Sequence, residues 1–184
     1  MLDGTVGIYS DSFYGGHTLI GLGGQHYLFG FIAIFYNNHN SITTLYSHDH
    51  CTIAFFDIPP GLSSVEFIRS TPPQILSNIY EMLTIHIRDD FDRQQIINSK
   101  SVKVKLARYM IYSSKNAGSM QFDIKMNRTE LSNFLGAYRT TLSRELSQME
   151  REGLIRTEGS LITILDYRKL LDIEMTSYYG AEDI

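Results

Sequence analysis

The 184-residue sequence predicts an α+β fold with three parts: an antiparallel β-roll of jelly-roll type, a long helix, and a winged helix-turn-helix. Short apolar runs separated by turn residues fill the first third of the chain, which is typical of a sheet. A stretch without Gly or Pro follows at 74–117, and two short helical patterns then flank Gly136. We therefore expect the β-roll at 1–71, the long helix at 72–98 and the winged motif at 99–184.

Composition places the chain in the globular class, with 43% apolar and 20% charged residues. Its apolar runs are too short to span a bilayer and residues 1–10 lack a secretory signal, so we expect a cytoplasmic protein without a membrane partner. The single cysteine, Cys51, excludes an internal disulfide and four-cysteine zinc or iron–sulfur sites. The sequence contains no recognisable grouping of nucleophile and base, so we predict neither an enzyme nor a cofactor.

Charge is divided unevenly along the chain. Residues 1–66 hold five acids and no Lys or Arg, a formal charge of −5. Residues 99–156 hold eleven bases and five acids, a formal charge of +6. Such asymmetry indicates a second half that binds a polyanion. The alternative is that these cations only line solvated helix surfaces.

The β-rich part is predicted from apolar and β-branched runs that end at turn residues. The turns are Gly15-Gly16, Gly23-Gly24 and the polar segment 37–40, and Pro59-Pro60-Gly61 ends the sheet. The predicted strands are 6–9, 18–22, 27–35, 42–46 and 52–58.

Pro72-Pro73 opens the long helix, because proline is tolerated in a first helical turn. Its roughly 26 residues would extend ~39 Å at about 1.5 Å per residue. Two neighbouring apolar stripes allow one face to cover the sheet while the other binds a second copy of the helix. We expect a homodimer through 72–98, and burial within one chain is the alternative. The first stripe is Ile75, Ile79, Met82, His86, Asp89, Arg93 and Ile96, and the second is Leu76, Tyr80, Leu83, Ile87, Phe91 and Ile97.

Two further elements precede the winged motif. Ser99 is predicted to cap a second helix, which ends at Asn116-Ala117-Gly118. Strict alternation of apolar and polar residues predicts a half-buried strand at 120–126. The inward face of the second helix is Val102, Leu106, Tyr109 and Met110.

A helix-turn-helix is predicted between 127 and 151. Asn127 and Glu130 have the spacing of a capping box, which opens a helix that Gly136 ends. A second helix starts near Arg139, and a hairpin over 153–165 supplies the wing, with the strand at 120–126 available as its third partner. The second helix turns Leu142, Leu146 and Met149 inward and Arg139, Thr140, Ser143, Arg144 and Gln148 outward.

Arginine on this outward face fits a DNA groove, because its forked donors can meet O6 and N7 of guanine together. The second helix of such a motif enters the major groove. Arg139 and Arg144 are five residues apart and therefore project about 140° apart around the helix. We expect them to take different roles, with one free to contact phosphate instead of bases.

The run from Asn127 to Glu174 resembles the DNA-binding domain of the Crp/Fnr transcription regulators. Its centre reads LSNFLGAYRTTLSRELSQMEREGLI, and its hairpin ends in ITILD. Upstream, the segments 4–9, 28–30 and 41–58 look like the later strands of that family's cyclic-nucleotide-binding-type β-roll. Residues 72–98 lie where its dimerisation helix does.

The resemblance implies a sequence-specific transcription regulator that acts as a homodimer on a near-palindromic operator in double-stranded DNA. It also implies RNA polymerase as a partner and a small-molecule effector site. The DNA-binding set would be Arg128, Thr129, Arg139, Thr140, Thr141, Ser143 and Arg144. The effector pocket would be Phe29, Gly30, Phe31, Asn40, Ser41 and Tyr80.

Three departures restrict what the family implies here. The sensor part is shorter at its front than in family members, either naturally or through start-site choice. Cyclic-AMP-binding members carry Glu and Arg where this chain has Phe31 and Asn40, although Ser41 is retained. Because 1–66 offer no cation to a buried cyclic phosphate, we predict an effector other than a cyclic nucleotide, or none. Calorimetric titration with cyclic AMP or cyclic GMP would test this.

The third departure lies in the second helix of the motif. Members with a Glu-x-x-Ser-Arg reading pattern align with Thr140, Ser143 and Arg144, so the glutamate is replaced and the half-site should differ. Tyr138 stands where a small hydroxyl residue often caps this helix, which weakens the cap.

Two competing functions remain open. Five of the six histidines lie in the first 50 residues, and His48-Asp49-His50-Cys51 is dense in metal-binding side chains. A cupin-like protein that binds a metal or small molecule is therefore one alternative, with the winged helix mediating protein contacts. A tight polar turn is the simpler interpretation of this segment, and we predict no metal. The other alternative is a partner-binding module that does not bind DNA.

Overall fold

A computed structural model of the protein describes residues 1–11, 17–30, 43–56 and 64–179. The fold is mixed α/β, with an antiparallel sheet first, long helices next and a winged helix-turn-helix last. The chain forms two compact units, Met1–Asp89 and Asp90–Ile184. Across the described ranges, no helix has the length and apolar content needed to cross a bilayer.

The N-terminal unit contains one described sheet of β1 (Val6–Asp11), β2 (His17–Gly23) and β3 (Thr43–Ser47). The order is β2-β1-β3, and both pairings are antiparallel. An irregularity in the β1–β2 register lies between Ile8 and Tyr9. Val6 and Leu19 are the buried apolar residues of this sheet. These strands confirm three of the five predicted; the complete roll stays a prediction.

The other two predicted strands are wrong where the structure describes them. Residues 27–30 form no strand, and Gly30 has a φ of +73°, outside the β region. Residues 53–56 are also irregular, and Thr52 makes only an isolated bridge to Asp3. The remainders of both segments, 31–35 and 57–58, lie outside the described residues.

Two helices follow: α1 (Ser64–Ser70), which was not expected from the sequence, and α2 (Pro73–Ile97), which confirms the predicted long helix. The two predicted stripes of α2 differ in exposure. In the first stripe, His86 stacks on Tyr27 at 4.0 Å between ring centroids, Arg93 lies over the Phe134 ring and Ile96 is buried. In the second, Tyr80, Ile87 and Phe91 remain 63–73% exposed.

In the C-terminal unit, α3 (Val102–Ala117) begins at Ser101, whose hydroxyl accepts from Val104 N. The prediction that Ser99 caps this helix is wrong. The Ser99 hydroxyl instead donates to Gln95 O and accepts from Arg108 Nη1. The predicted end is confirmed, because Gly118 takes the left-handed conformation there, at a φ of +60°.

The second sheet contains β4 (Gln121–Asp123), β5 (Ile155–Glu158) and β6 (Leu161–Ile164) in the order β4-β6-β5. The wing hairpin and its third strand are thus confirmed. β4 is shorter than the predicted 120–126, since Lys125 has a φ of +53°, outside the β region. Burial still alternates through Phe122, Ile124 and Met126, whereas Met120 is exposed.

The remaining helices are α4 (Arg128–Phe134), α5 (Arg139–Arg151) and α6 (Tyr167–Tyr179). α3 contacts α5 and α6, and α4 contacts α5. Apolar side chains from these helices and from β6 form the core of the unit: Leu106, Leu131, Leu142, Leu146, Met149, Ile162 and Leu170. The domain boundaries predicted at 71/72 and 98/99 stay predictions.

Candidate nucleic-acid interface

The first helix of the predicted motif, α4, begins with a complete capping box. Asn127 Oδ1 accepts from the backbone N–H groups of Thr129 and Glu130 at 2.9 and 3.0 Å. Glu130 Oε2 accepts in return from Asn127 N at 2.8 Å. Three donors at the N-terminal end are thereby satisfied, which fixes the start of α4 as the sequence predicts.

The turn between α4 and α5 is held by a cation from α3. Gly136 has a φ of +57°, a conformation that favours glycine. Lys105 Nζ donates to Leu135 O at 3.0 Å and to Gly136 O at 3.2 Å. These carbonyls lie at the C-terminal end of α4, where a positive charge is favourable. No sequence signal predicts this role of Lys105, because the contact joins residues 30 positions apart.

α5 presents one apolar and one polar face. Leu142, Leu146 and Met149 are fully or almost fully buried, as predicted. Arg139, Thr140 and Arg144 are exposed, and Thr141 and Ser143 are half-buried. Thr140, Ser143 and Arg144 share a face because they are separated by three and four residues. The outward polar surface predicted for α5 is therefore present.

Arg144 is a largely exposed cation of this surface. Its side chain is 72% exposed, and its Nη2 lies 3.4 Å from Glu145 Oε1, at the long end of hydrogen-bond range. An exposed ion pair of this kind adds little stability. Most of the guanidinium donors can therefore meet an acceptor outside the chain.

Arg128, the first residue of α4, is engaged inside the unit. Its Nη2 donates to Thr157 Oγ1 of β5 at 3.3 Å. Thr157 donates from both Oγ1 and its backbone N–H to Glu150 Oε1 of α5, at 2.6 and 2.8 Å. Arg128 Nη1 is buried and makes no hydrogen bond to any described residue. The network joins α4, the wing and α5, and neither Thr157 nor Glu150 carries a sequence signal that predicts it.

We expect Thr157→Val to lower the free energy of unfolding by about 1 to 3 kcal/mol, because the Glu150 carboxylate and Arg128 each lose a partner in a half-buried place. Thr163→Val is the matched control. Thr163 lies on the neighbouring strand β6, and its hydroxyl accepts from the exposed Gln121 amide at 3.2 Å, so the loss should stay within about 0.5 kcal/mol. Urea unfolding measures both, and equal losses would contradict a bracing role for the network.

Several other cations of the basic segment are also used internally. Lys103 pairs with Glu152 at 2.7 Å, and this hydrogen bond, with a second from Gln148, holds the pKa of Glu152 below its ordinary value. Arg108 Nη1 donates to Gln95 O at 3.0 Å. Lys125 Nζ lies 3.3 Å from Asp123 Oδ2. These cations therefore have fewer donors available to a polyanion, although the formal charge of 99–156, which already subtracts Asp123 and Glu152, is unchanged.

The members of the predicted effector pocket are only partly described. Phe31, Asn40 and Ser41 lie outside the described residues. Phe29 packs on Tyr27 at 4.7 Å between ring centroids, Gly30 is exposed, and Tyr80 belongs to the exposed stripe of α2. The pocket stays a prediction.

The histidine-rich segment has other partners where it is described. His48 Nε2 lies 3.1 Å from the Tyr9 hydroxyl, and Asp49 Oδ1 accepts from Thr5 N at 2.6 Å. Cys51 Sγ donates to Thr5 O at 3.3 Å. Within the ranges that the structure covers, no three His, Cys, Asp or Glu side chains are grouped as metal ligands would be. His39 lies outside those ranges.

Residues 104–173 match the family model of the Crp-like helix-turn-helix domain. This match confirms the resemblance found in the sequence from Asn127 onward. The chain is also 28% identical over 99 residues to the transcriptional activator protein FnrA of Stutzerimonas stutzeri, across 51% of this chain and 41% of FnrA. The chain thus aligns with less than half the length of this relative.

Two solved structures are similar across nearly the whole chain. A CRP/FNR family transcriptional regulator from Thermus thermophilus is 17% identical with a TM-score of 0.64, covering 96% of this chain and 86% of that one. FixK2 from Bradyrhizobium japonicum is 18% identical with a TM-score of 0.66, covering 94% and 84%. At this level of identity the likeness establishes the fold. The proteins whose names state a role are regulators, in agreement with the prediction that the chain is not an enzyme.

Proposed function

We propose that the chain is a sequence-specific DNA-binding transcription regulator of the Crp/Fnr type, on the basis of the Crp-like helix-turn-helix domain matched at 104–173 and of the similar folds. The observation that carries the proposal is the exposed polar face of α5. Arg139, Thr140 and Arg144 lie there on a helix whose opposite face is buried in the core. Such a helix can enter the major groove without rearrangement of the unit.

We assign base contacts to the outward residues of α5 and phosphate contacts to its borders. Arg144, with its forked donors exposed, is the residue proposed to bind guanine. Arg139, Thr140, Thr141 and Ser143 complete the α5 surface. Thr129, exposed at the start of α4, is proposed to contact phosphate. Arg128 is proposed to act at the same border, although its Nη2 also binds Thr157.

The active form is proposed to be a homodimer through residues 72–98. Support comes from the second stripe of α2, where Tyr80, Ile87 and Phe91 follow one another at helical spacing and stay largely exposed. A second copy of the helix would bury these side chains, at about 25 cal/mol for each Å² of apolar surface removed from water. Two-fold symmetry then predicts a near-palindromic operator with half-sites ~34 Å apart, one turn of DNA.

The effector of the protein, where one acts, is proposed not to be a cyclic nucleotide. Residues 1–66 contain no Lys or Arg to pair with a buried cyclic phosphate.

RNA polymerase is a proposed partner on the family resemblance alone. The cupin-like alternative gains no support from the described part of the chain, where no three His, Cys, Asp or Glu side chains are grouped as metal ligands would be.

Selection of bound duplexes from a random pool tests the proposed function. We expect the full chain to enrich a near-palindrome and its affinity to fall steeply with salt, with a log–log slope of about −0.9 for each phosphate contacted. The control is the selected operator with five base pairs inserted between its half-sites. This insertion places the half-sites on opposite sides of the duplex and should abolish tight binding.

Failure to enrich any duplex would contradict the proposal. Salt-insensitive association with another protein, with no binding to duplexes, would favour the partner-binding alternative. Equal affinity for the original and the lengthened operator would contradict binding as a rigid two-fold dimer.

A further inference from the structure

Tyr138 is an exposed aromatic residue at the start of α5. Its side chain is 85% exposed, against 63% for Phe91, the next most exposed of the described large apolar side chains in the C-terminal unit. Its backbone is extended, with a φ of −70° and a ψ of 134°, and its carbonyl accepts from Leu142 N at 2.9 Å. The backbone therefore fixes Tyr138 as the residue from which α5 starts.

This position departs from two local rules at once. The residue before a helix is favourable when its side chain accepts a hydrogen bond from the first turn, and Tyr138 makes no such bond. By contrast, the other helix of the motif, α4, has a complete capping box although it is only seven residues long. The second departure is that a large ring, 85% exposed, adds little apolar burial to the fold. Departures from local rules without a structural benefit are expected at functional positions.

The chemistry of the ring restricts what it can bind in the groove that α5 is proposed to enter. The phenol ring is uncharged and presents an apolar edge and face. Among the base edges of the major groove, the apolar group is the C5-methyl of thymine, whereas the other groups are hydrogen-bond donors and acceptors. N-terminal residues of a recognition helix are those that meet base edges.

We propose that Tyr138 packs on the C5-methyl group of a thymine in each half-site and thereby selects thymine at that position. The inference rests on the proposed DNA-binding function and deepens it. It assigns a specificity-determining role to a residue that contributes nothing to the cap of its own helix.

Tyr138→Ser distinguishes this role from a structural one, because the melting temperature and the operator affinity should change in opposite directions. Serine restores a capping hydroxyl, so the melting temperature should rise by about 2 to 4 °C. The affinity of the full chain for its selected operator should fall by about fivefold or more, the effect of losing one base contact. A purely structural residue would lose stability and affinity together.

Operators in which single thymines are replaced by deoxyuridine identify the methyl group directly. One replacement should weaken binding by the wild-type chain, and Tyr138→Ser should be insensitive to that same replacement. Tyr138→Phe keeps the ring and should still distinguish thymine from uracil. Leu165→Ser, which removes another exposed apolar side chain of this unit, is the matched control and should leave the distinction unchanged.

Two results would overturn the inference alone: Tyr138→Ser binding the selected operator as tightly as wild type, or wild type binding every thymine and uracil version equally. A Tyr138→Phe variant that loses the distinction would also overturn it, since the hydroxyl and not the ring would then carry the effect. A wild-type chain that selects no duplex would overturn the proposed function, and this inference with it.

Discussion

Replacing Ile87 and Phe91 with aspartate is expected to convert the protein from a dimer to a monomer and to lower its operator affinity by about 10²- to 10⁴-fold. Both side chains lie on the exposed stripe of α2, at 69% and 63% exposure, so four carboxylates would meet in the proposed interface without disturbing the core. The loss in affinity is large because two linked half-sites bind as one unit, whereas a single half-site binds weakly.

Sedimentation and gel shift on the same samples measure the two effects. Gln74→Asp with Asn78→Asp is the matched control, since it adds the same charge to exposed positions of α2 outside the stripe and should leave the dimer intact. A double variant at 87 and 91 that stays dimeric would show that the interface lies elsewhere.

Arg144→Ala is expected to cost about 1 to 3 kcal/mol in each half-site and to flatten the base preference at one position of each. Over the two half-sites of a dimer, the lower figure already corresponds to about a 25-fold loss of affinity. The reason is the geometry of the guanidinium, which belongs to a side chain that is 72% exposed and is only weakly engaged by Glu145 at 3.4 Å. Lysine at this position would keep the charge but lose the forked geometry.

Selection of duplexes from a random pool with the variant distinguishes base contact from phosphate contact. Loss of a phosphate contact lowers affinity alike for all sequences and reduces the salt slope, whereas loss of a base contact changes the selected sequence. Arg151→Ala is the control on the same helix, because Arg151 lies at its far end and donates to Gln148 at 2.6 Å. An unchanged selection profile for Arg144→Ala would contradict the assignment of Arg144.

Local sequence signals are sufficient to place the winged motif. The four-residue box from Asn127 to Glu130 and the glycine at 136 predict both ends of α4, and each is found as predicted. The same kind of signal fails at Ser99, because Ser99 and Ser101 are equally able to cap a helix. In the structure Ser101 is the cap, whereas the Ser99 hydroxyl accepts from Arg108, nine residues away.

Helical periodicity predicts which residues of α5 face outward. It does not predict which cations bind partners within the chain and which remain available to a ligand. Lys105 and Arg128 are indistinguishable in sequence from cations that bind phosphate, and both are held by partners about 30 residues away. Only tertiary contacts show this. Apolar content alone likewise misleads at 53–56, where the sequence predicts a strand and the backbone has no ladder to join.

The hydrogen bonds from Lys105 to the carbonyls of Leu135 and Gly136 have a thermodynamic consequence for complex formation. Residues that are already immobile in the unbound protein lose no conformational entropy when a ligand binds. The angle at which α5 leaves the turn is thus preorganised, and little of the interaction energy is consumed in ordering this part of the backbone. Recognition of a duplex by this motif should accordingly proceed as docking of a rigid body and not as folding coupled to binding.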